Sequence, residues 1–357
     1  MVKSGTFLSF LMESTSHAGR SPLVNWLMKG SMIHSPRMRR LARVPLAFAI
    51  GLLFLSLAAA PAVARTRGSS KRAPAHGKSG AAASTTKAGF PSIQAESAII
   101  VDLDSGEELY SKNPDQVRAI ASVGKLFLAL AVRGKNLPLE GATTIQEEDR
   151  KFASGGARSR LPVGKTFANR DLLRAMLIQS DNRACTAVGR GAGLEPTALI
   201  AAMNDVARGL GLKRTTFSDP SGLKGNVSTA REVLAGLRAA LADPVIAEIL
   251  QTPTFVVHSL DKRPVEVEYT TTDIALRSEK RFPILGGKTG YTDEAKYCLA
   301  IAAKIDGRRV GMVFLGADGK LTRFGDFNRG VAWLLAGGEK RVLADKGLPT
   351  ATPTDPK

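Results

Sequence analysis

The sequence predicts a mixed α/β fold of the α+β kind, an antiparallel sheet flanked by helices. Two stretches that read as β-hairpins stand near the ends of the core-forming region, Ser97–Tyr110 and Tyr297–Gly316, and helical periods fill the interval between them. Antiparallel hairpins separated by helices cannot build an all-parallel sheet.

In chain order, the first hairpin joins Ser97–Asp104 to Glu107–Tyr110 through Ser105-Gly106. An apolar helical run, Leu126–Val132, follows Arg118–Lys125 and places Ser122 at its head. Residues 134–170 are polar and glycine-rich, with the dibasic run Arg158-Ser159-Arg160, and read as loops or short strands at the rim of a site. A helix over Asn169–Ile178, with Asn169 as its cap, stops at Ser180-Asp181-Asn182. Cys185 falls on the next helical stretch, and a further helix runs from about Pro196 to Leu210. Thr216–Leu223 is turn chemistry, and Ser228 or Thr229 caps the helix after it. Residues 254–258 and 265–271 alternate as strands. The hairpin Tyr297–Ile305 and Arg308–Gly316 turns at Asp306-Gly307, a pair suited to a turn with two left-handed residues. A last helix spans Leu321–Leu335.

Of 357 residues 44% are hydrophobic, enough for a large core, and the net charge is +18. The charge is uneven: residues 1–64 carry +6, residues 65–90 another +6, and residues 91–357 the remaining +6. Aromatics make up only 6%, which argues against a nucleic-acid surface with stacking platforms. Arg37–Arg43 is a positive n-region, Val44–Ala60 an apolar stretch and Ala62-Val63-Ala64 a small-residue cleavage site, so an exported, periplasmic protein is expected. Counted from Met38 that signal has an ordinary length, making residues 1–37 an over-extended start; an uncleaved membrane anchor is the alternative. Residues 65–90 read as a flexible basic linker suited to an anionic cell wall or membrane surface, residues 91–337 as the folded domain, and residues 338–357 as a flexible tail. Export would let Cys185 and Cys298 pair, but their apolar settings favour two buried thiols. Two cysteines make no zinc cage, and no metal or cofactor is expected.

The chemistry centres on Ser122 and Lys125, one helical turn apart on one face. A serine hydroxyl needs a base, and lysine serves as one only when burial or a second cation makes it neutral. Of the Ser-x-x-Lys stretches at Ser84, Ser122 and Ser221, only that of Ser122 opens a core helix. The only histidine within residues 91–357 is His258, in a predicted strand, which disfavours a Ser-His-Asp triad. Ser180-Asp181-Asn182 lies 58 residues past Ser122, where a hydroxyl could relay a proton and an amide could hold a peptide. Gly286-Gly287-Lys288-Thr289-Gly290-Tyr291-Thr292 offers an edge strand, a cation and a hydroxyl for a carboxylate. It is not a phosphate loop, since Phe282 stands where the first glycine would be needed; Ser159 fails the same test for Gly164-Lys165-Thr166.

Ser-x-x-Lys, Ser-x-Asn and Lys-Thr-Gly, in this order, resemble the penicillin-binding proteins and class A β-lactamases. Over residues 92–336 the chain is similar to the low-molecular-mass D-alanyl-D-alanine carboxypeptidase family, serine peptidase family S11. Asp219-Pro220-Ser221-Gly222-Leu223 and Lys288–Ala295 support this; Ser180–Ala184 and Asn226–Arg231 look most like the D-alanyl-D-alanine endopeptidase branch. The resemblance implies a β-lactamase/transpeptidase-like fold with a helical subdomain, peptidoglycan stem peptides as substrate and β-lactam antibiotics as covalent inhibitors. It makes Ser122 the nucleophile, Lys125 its base and Ser180 a proton relay. Asn182, Lys288, Thr289, Gly290 and Tyr291 would bind substrate, with the Ser122 and Tyr291 backbone N–H groups as oxyanion hole. The alternatives are a carboxypeptidase, a class A-like β-lactamase, and a non-catalytic penicillin-sensing wall-binding protein. From Pro196 to Arg231 there is no glutamate to deacylate a β-lactam, so slow deacylation is expected. Two positions depart from the family: Gly124, where threonine is usual, and Lys296, where glycine is common.

Overall fold

A computed structural model of the chain describes residues 89–338. The predicted signal at 1–64, nearly all of the basic linker and the tail beyond residue 338 lie outside the described residues. The two hairpins belong to one antiparallel sheet. Strands β1 (Ser97–Asp102), β2 (Glu108–Lys112), β9 (Ile284–Thr292), β10 (Lys296–Ile305) and β11 (Arg308–Ala317) lie in the order β2-β1-β11-β10-β9. The first strand thus pairs with the last, Ser97 opposite Leu315 and Asp102 opposite Val310. At the β10–β11 turn Asp306 and Gly307 both take positive φ, 49° and 77°, which matches the twist of the strands.

Alternation along the strands feeds two cores. Leu299, Ile301 and Ala303 of β10, with Met312 and Phe314 of β11, pack against Phe327, Val331 and Trp333 of the last helix, α9 (Thr322–Leu335). Ala300, Ala302, Val313 and Leu315 face the opposite way, into the larger core. That core holds α1 (Lys125–Gly134), buried almost all round, with α3 (Asn169–Ile178), α4 (Arg183–Gly191), α5 (Pro196–Gly209), α6 (Ala230–Ala242) and α7 (Pro244–Leu250). Thr229 caps α6 by accepting from the Glu232 N–H, as the sequence predicts. Short two-stranded pairs join β3 (Arg118–Ala119) to β6 (Val227–Ser228), β4 (Ala142–Thr144) to β5 (Thr166–Ala168), and β7 (Thr254–His258) to β8 (Glu266–Thr270).

The structure corrects three local expectations. Ser122 sits in a 3-10 turn, Ala121–Gly124, and the α-helix proper starts at Lys125. Asn169 is the first helical residue of α3, not its cap; its buried amide donates to the Pro138 carbonyl and accepts from the Thr143 hydroxyl, tying α3 to the preceding loop. The polar stretch 134–170 contains a helix, α2 (Glu147–Phe152), without an apolar stripe. Acids in its first turn and bases in its last suit its dipole, and Asp149 anchors it through Arg190 and Thr186 of α4. Among the described residues no helix is long and apolar enough to cross a membrane. Cys185 and Cys298 are free, buried thiols.

Candidate active site

Three separated stretches meet where the 3-10 turn, the end of α3 and the edge strand β9 converge. Lys125, with 0% of its surface exposed, has its Nζ 2.7 Å from Ser122 Oγ, 2.8 Å from Asn182 Oδ1, 2.7 Å from the Ser221 carbonyl and 3.2 Å from Ser180 Oγ. Lys288, 1% exposed, donates to the other side of the Ser180 hydroxyl at 3.0 Å and to the Thr289 carbonyl at 2.9 Å. One hydroxyl therefore bridges two amines. The backbone is bent to achieve this: Ala121 and Ser180, neither of them glycine, take φ of 48° and 65°. Such residues cost about 1 kcal/mol or more and persist where surrounding structure holds them.

What holds Ser180 is its neighbour. The buried Asp181 carboxylate accepts from Ser159 Oγ, the Arg160 and Arg183 N–H groups and the Tyr269 hydroxyl, fastening the triplet to the loop before α3 and to β8. Asp219 does the same for the turn beneath the nucleophile, accepting from Ser221 Oγ and the Leu223 N–H. Gly222, at φ 85°, presses on the turn so closely that a Cβ there would lie 2.2 Å from the Ala121 carbonyl oxygen. On the other side, a Cβ on Gly290 would lie 2.8 Å from the Ile120 carbonyl oxygen and 3.1 Å from the Ser122 nitrogen. Only glycines let β9 and this turn close on Ser122.

Burial pushes the Lys125 pKa down, against the weaker pull of carboxylates that include Asp219 and Asp181. Burial pushes Lys288 well below its ordinary value, and the charge of Lys125 adds to the effect. Two ammonium groups on one hydroxyl repel, so the pair holds one proton more readily than two. Four oxygens, those of Ser122, Ser180, Asn182 and Ser221, surround the amine; once neutral, it would keep two N–H bonds for the Asn182 and Ser221 acceptors and have its lone pair free for the Ser122 proton. The site can thus take a proton from a serine as that serine attacks.

Ser122, Ser180, Asn182, Thr289, Gly290 and Tyr291 line an open cleft of about 1000 Å³, with the two lysines behind them. Thr289 Oγ1 lies 2.6 Å from Thr272 Oγ1, and exposed Tyr291 stacks on Tyr297 at the rim. All eight residues expected from the sequence gather around this one cleft. His258 is exposed on β7 beside Glu266, outside the cleft lining. Lys224, of the Ser-x-x-Lys at Ser221, is exposed, but the Ser221 carbonyl of that motif reaches Lys125, a role no residue-type pattern announces. Sequence reasoning also passed over Arg323, whose guanidinium binds the Gly290 and Cys298 carbonyls under the cleft, and buried Asp273, which packs against Gly287.

A family profile described as D-alanyl-D-alanine carboxypeptidase, peptidase S11, matches residues 83–319. The chain belongs to this family. It is 34% identical over 289 residues to a D-alanyl-D-alanine endopeptidase of Pseudomonas aeruginosa, covering 80% of this chain and 87% of that protein. It is 32% identical over 256 residues to the D-alanyl-D-alanine endopeptidase of Escherichia coli, covering 71% and 82%. Its fold matches the crystal structure of the Streptomyces K15 DD-transpeptidase with a TM-score of 0.64 and 26% identity, over 69% of this chain and 98% of that one. As an S11 member the chain is a serine D,D-peptidase, and the family acts on peptidoglycan and binds β-lactams in general. Both departures from the family pattern are now placed. Gly124 packs under Phe217 and Asn226, where a Cβ would meet atoms at 3.3 and 3.4 Å. Lys296 takes φ 57° at the start of β10, the conformation a glycine there adopts without strain.

Proposed function

We propose that this S11 peptidase is exported and is a D-alanyl-D-alanine endopeptidase that opens peptidoglycan cross-links through an acyl-enzyme. The contact of Lys125 Nζ with Ser122 Oγ at 2.7 Å, with both remaining N–H positions occupied by fixed acceptors, carries the mechanism. Ser122 Oγ attacks the carbonyl carbon of a D-alanine residue as its proton passes to Lys125. The carbonyl oxygen becomes an oxyanion held by the Ser122 and Tyr291 N–H groups, each such donor contributing about 3–4 kcal/mol. The C–N bond breaks as the leaving amine receives a proton through Ser180, which touches both lysines. Water adds to the ester, its proton returning by the same base, and the acid product leaves. Asn182, Lys288 and Thr289 hold the peptide and its carboxylate, with Gly290 allowing close backbone approach along the edge strand β9.

The endopeptidase assignment rests on the names of the Pseudomonas and Escherichia relatives. Digestion of purified monomeric and cross-linked dimeric muropeptides, read by mass spectrometry, tests it. Conversion of dimer to monomers is expected; release of terminal D-alanine alone would make the chain a carboxypeptidase. Export through the signal ending at Ala64 gives a mature protein starting at Arg65, and an N-terminus far from that residue contradicts it. Penicillin is expected to acylate Ser122 and leave slowly.

A further inference from the structure

Beside the catalytic cleft lies a second pocket of about 420 Å³, and the loop Gly155–Ala157 lines both. Its charged walls are Arg150, Lys151, Arg158 and Arg183, and no aspartate or glutamate lines it. Arg150 pairs with Glu147, but among the described residues Lys151 and Arg158 have no ion-pair partner. Arg183 follows Asn182 directly; its Nη1 donates to the Leu161 carbonyl at 2.6 Å, while its buried Nε has no partner among the described residues. The guanidinium is thus held in place in the pocket wall, a fixed cation beside the exposed Lys151 and Arg158. The dividing wall is thin, since a Cβ on Gly156 would stand 2.2 Å from Asn182 Nδ2. The two pockets thus share the Gly155–Ala157 loop as a wall, and that loop lies against Asn182.

We propose that this basic pocket is a subsite for a free carboxylate of the stem peptide, holding the carboxylate-bearing arm of a cross-linked substrate as the scissile bond lies at Ser122. This deepens the endopeptidase reading and rests on it. Uncompensated cations around a cavity that shares a wall with the cleft favour an acidic peptide over a neutral one.

The test uses the full chain carrying Ser122→Ala, so that substrate binds without turnover. Calorimetry would compare a cross-linked muropeptide dimer with free carboxylates and the same dimer with those carboxylates amidated. The free-acid dimer is expected to bind about tenfold more tightly, as two partly exposed charge contacts would give. Added salt should shrink the difference, and Lys151→Gln with Arg158→Gln should narrow it severalfold, the remainder belonging to the carboxylate held at Lys288 and Thr289. Equal affinities for the two dimers, failure to bind either, or a difference left unchanged by the double substitution would overturn the subsite. Lys151 and Arg158 are exposed, so the substitutions remove no packing, and melting temperature checks folding. Should that double variant not fold, Lys151→Gln and Arg158→Gln are introduced singly into the Ser122→Ala protein; each is expected to narrow the free-acid preference, and no change from either overturns the subsite. The muropeptide digest of the active enzyme separately reports whether cross-links are opened, so a carboxypeptidase outcome there is distinguishable from loss of the subsite.

Discussion

Two clusters of buried charge in this molecule are built in opposite ways. Asp149 is wholly buried, and both its oxygens are in use: Oδ1 accepts from Thr186 and Arg190, Oδ2 from Arg190 and the Gln146 N–H. Lys125 and Lys288 are as deeply buried, yet neither has a carboxylate within ion-pairing distance among the described residues, and they share one hydroxyl. Beside them Asp273 Oδ2 and Arg323 Nε have no partner among the described residues. The first cluster offsets its own desolvation locally and fixes α2 against α4. The second leaves that cost standing, and a perturbed amine beside a serine is the result.

Breaking the second cluster at the nucleophile should have the largest effect. Ser122→Ala is expected to reduce hydrolysis on the order of 10⁶-fold, to background, and to remove covalent penicillin labelling, with little change in melting temperature. Retained labelling in that variant would place the nucleophile elsewhere. Breaking the first cluster should do the reverse: Asp149→Ala leaves Arg190 unpaired and is expected to cost about 3–5 kcal/mol by denaturant unfolding. The acylation rate per folded molecule should stay near that of the parent.

A smaller effect separates the two clusters by pH. Burial pushes the Asp273 carboxyl up to about 6, against the helix N–H groups and the charges of Arg323 and Lys288. The folded protein prefers the protonated form, so stability is intact below the unfolded value near 4 and falls as pH rises through about 6. Asp273→Asn keeps an acceptor for the Ala275 N–H and removes the charge. It is expected to raise stability by roughly 1–3 kcal/mol above pH 6 and to change nothing below pH 4. An effect of equal size at both pH values would mean that the substitution acts through packing.

How much of this was legible in the sequence follows from the same contrast. The hairpins were readable because side-chain alternation and the Asp306-Gly307 turn are local. The eight site residues were readable because each motif carries its chemistry within a few positions. The α2 helix was not, because its stability comes from one carboxylate reaching a helix some forty residues on. Asn169 looked like a cap because caps are the commonest use of an asparagine there, but a tertiary bond to Thr143 claimed its side chain. The Ser221 carbonyl, Asp273 and Arg323 act across long sequence separations, and a backbone oxygen has no residue type by which to be found.

The central claim is that Lys125 is neutral when Ser122 reacts. Pre-steady-state acylation by penicillin, followed from acid to alkaline pH, measures this through the rate at which the covalent adduct forms. A rise to a plateau is expected, with an apparent pKa below the ordinary lysine value of about 10.4 that belongs to the Lys125–Lys288 pair. A rate that stays at background through neutral pH and climbs only near 10 would show the amine charged in the working enzyme and contradict the mechanism.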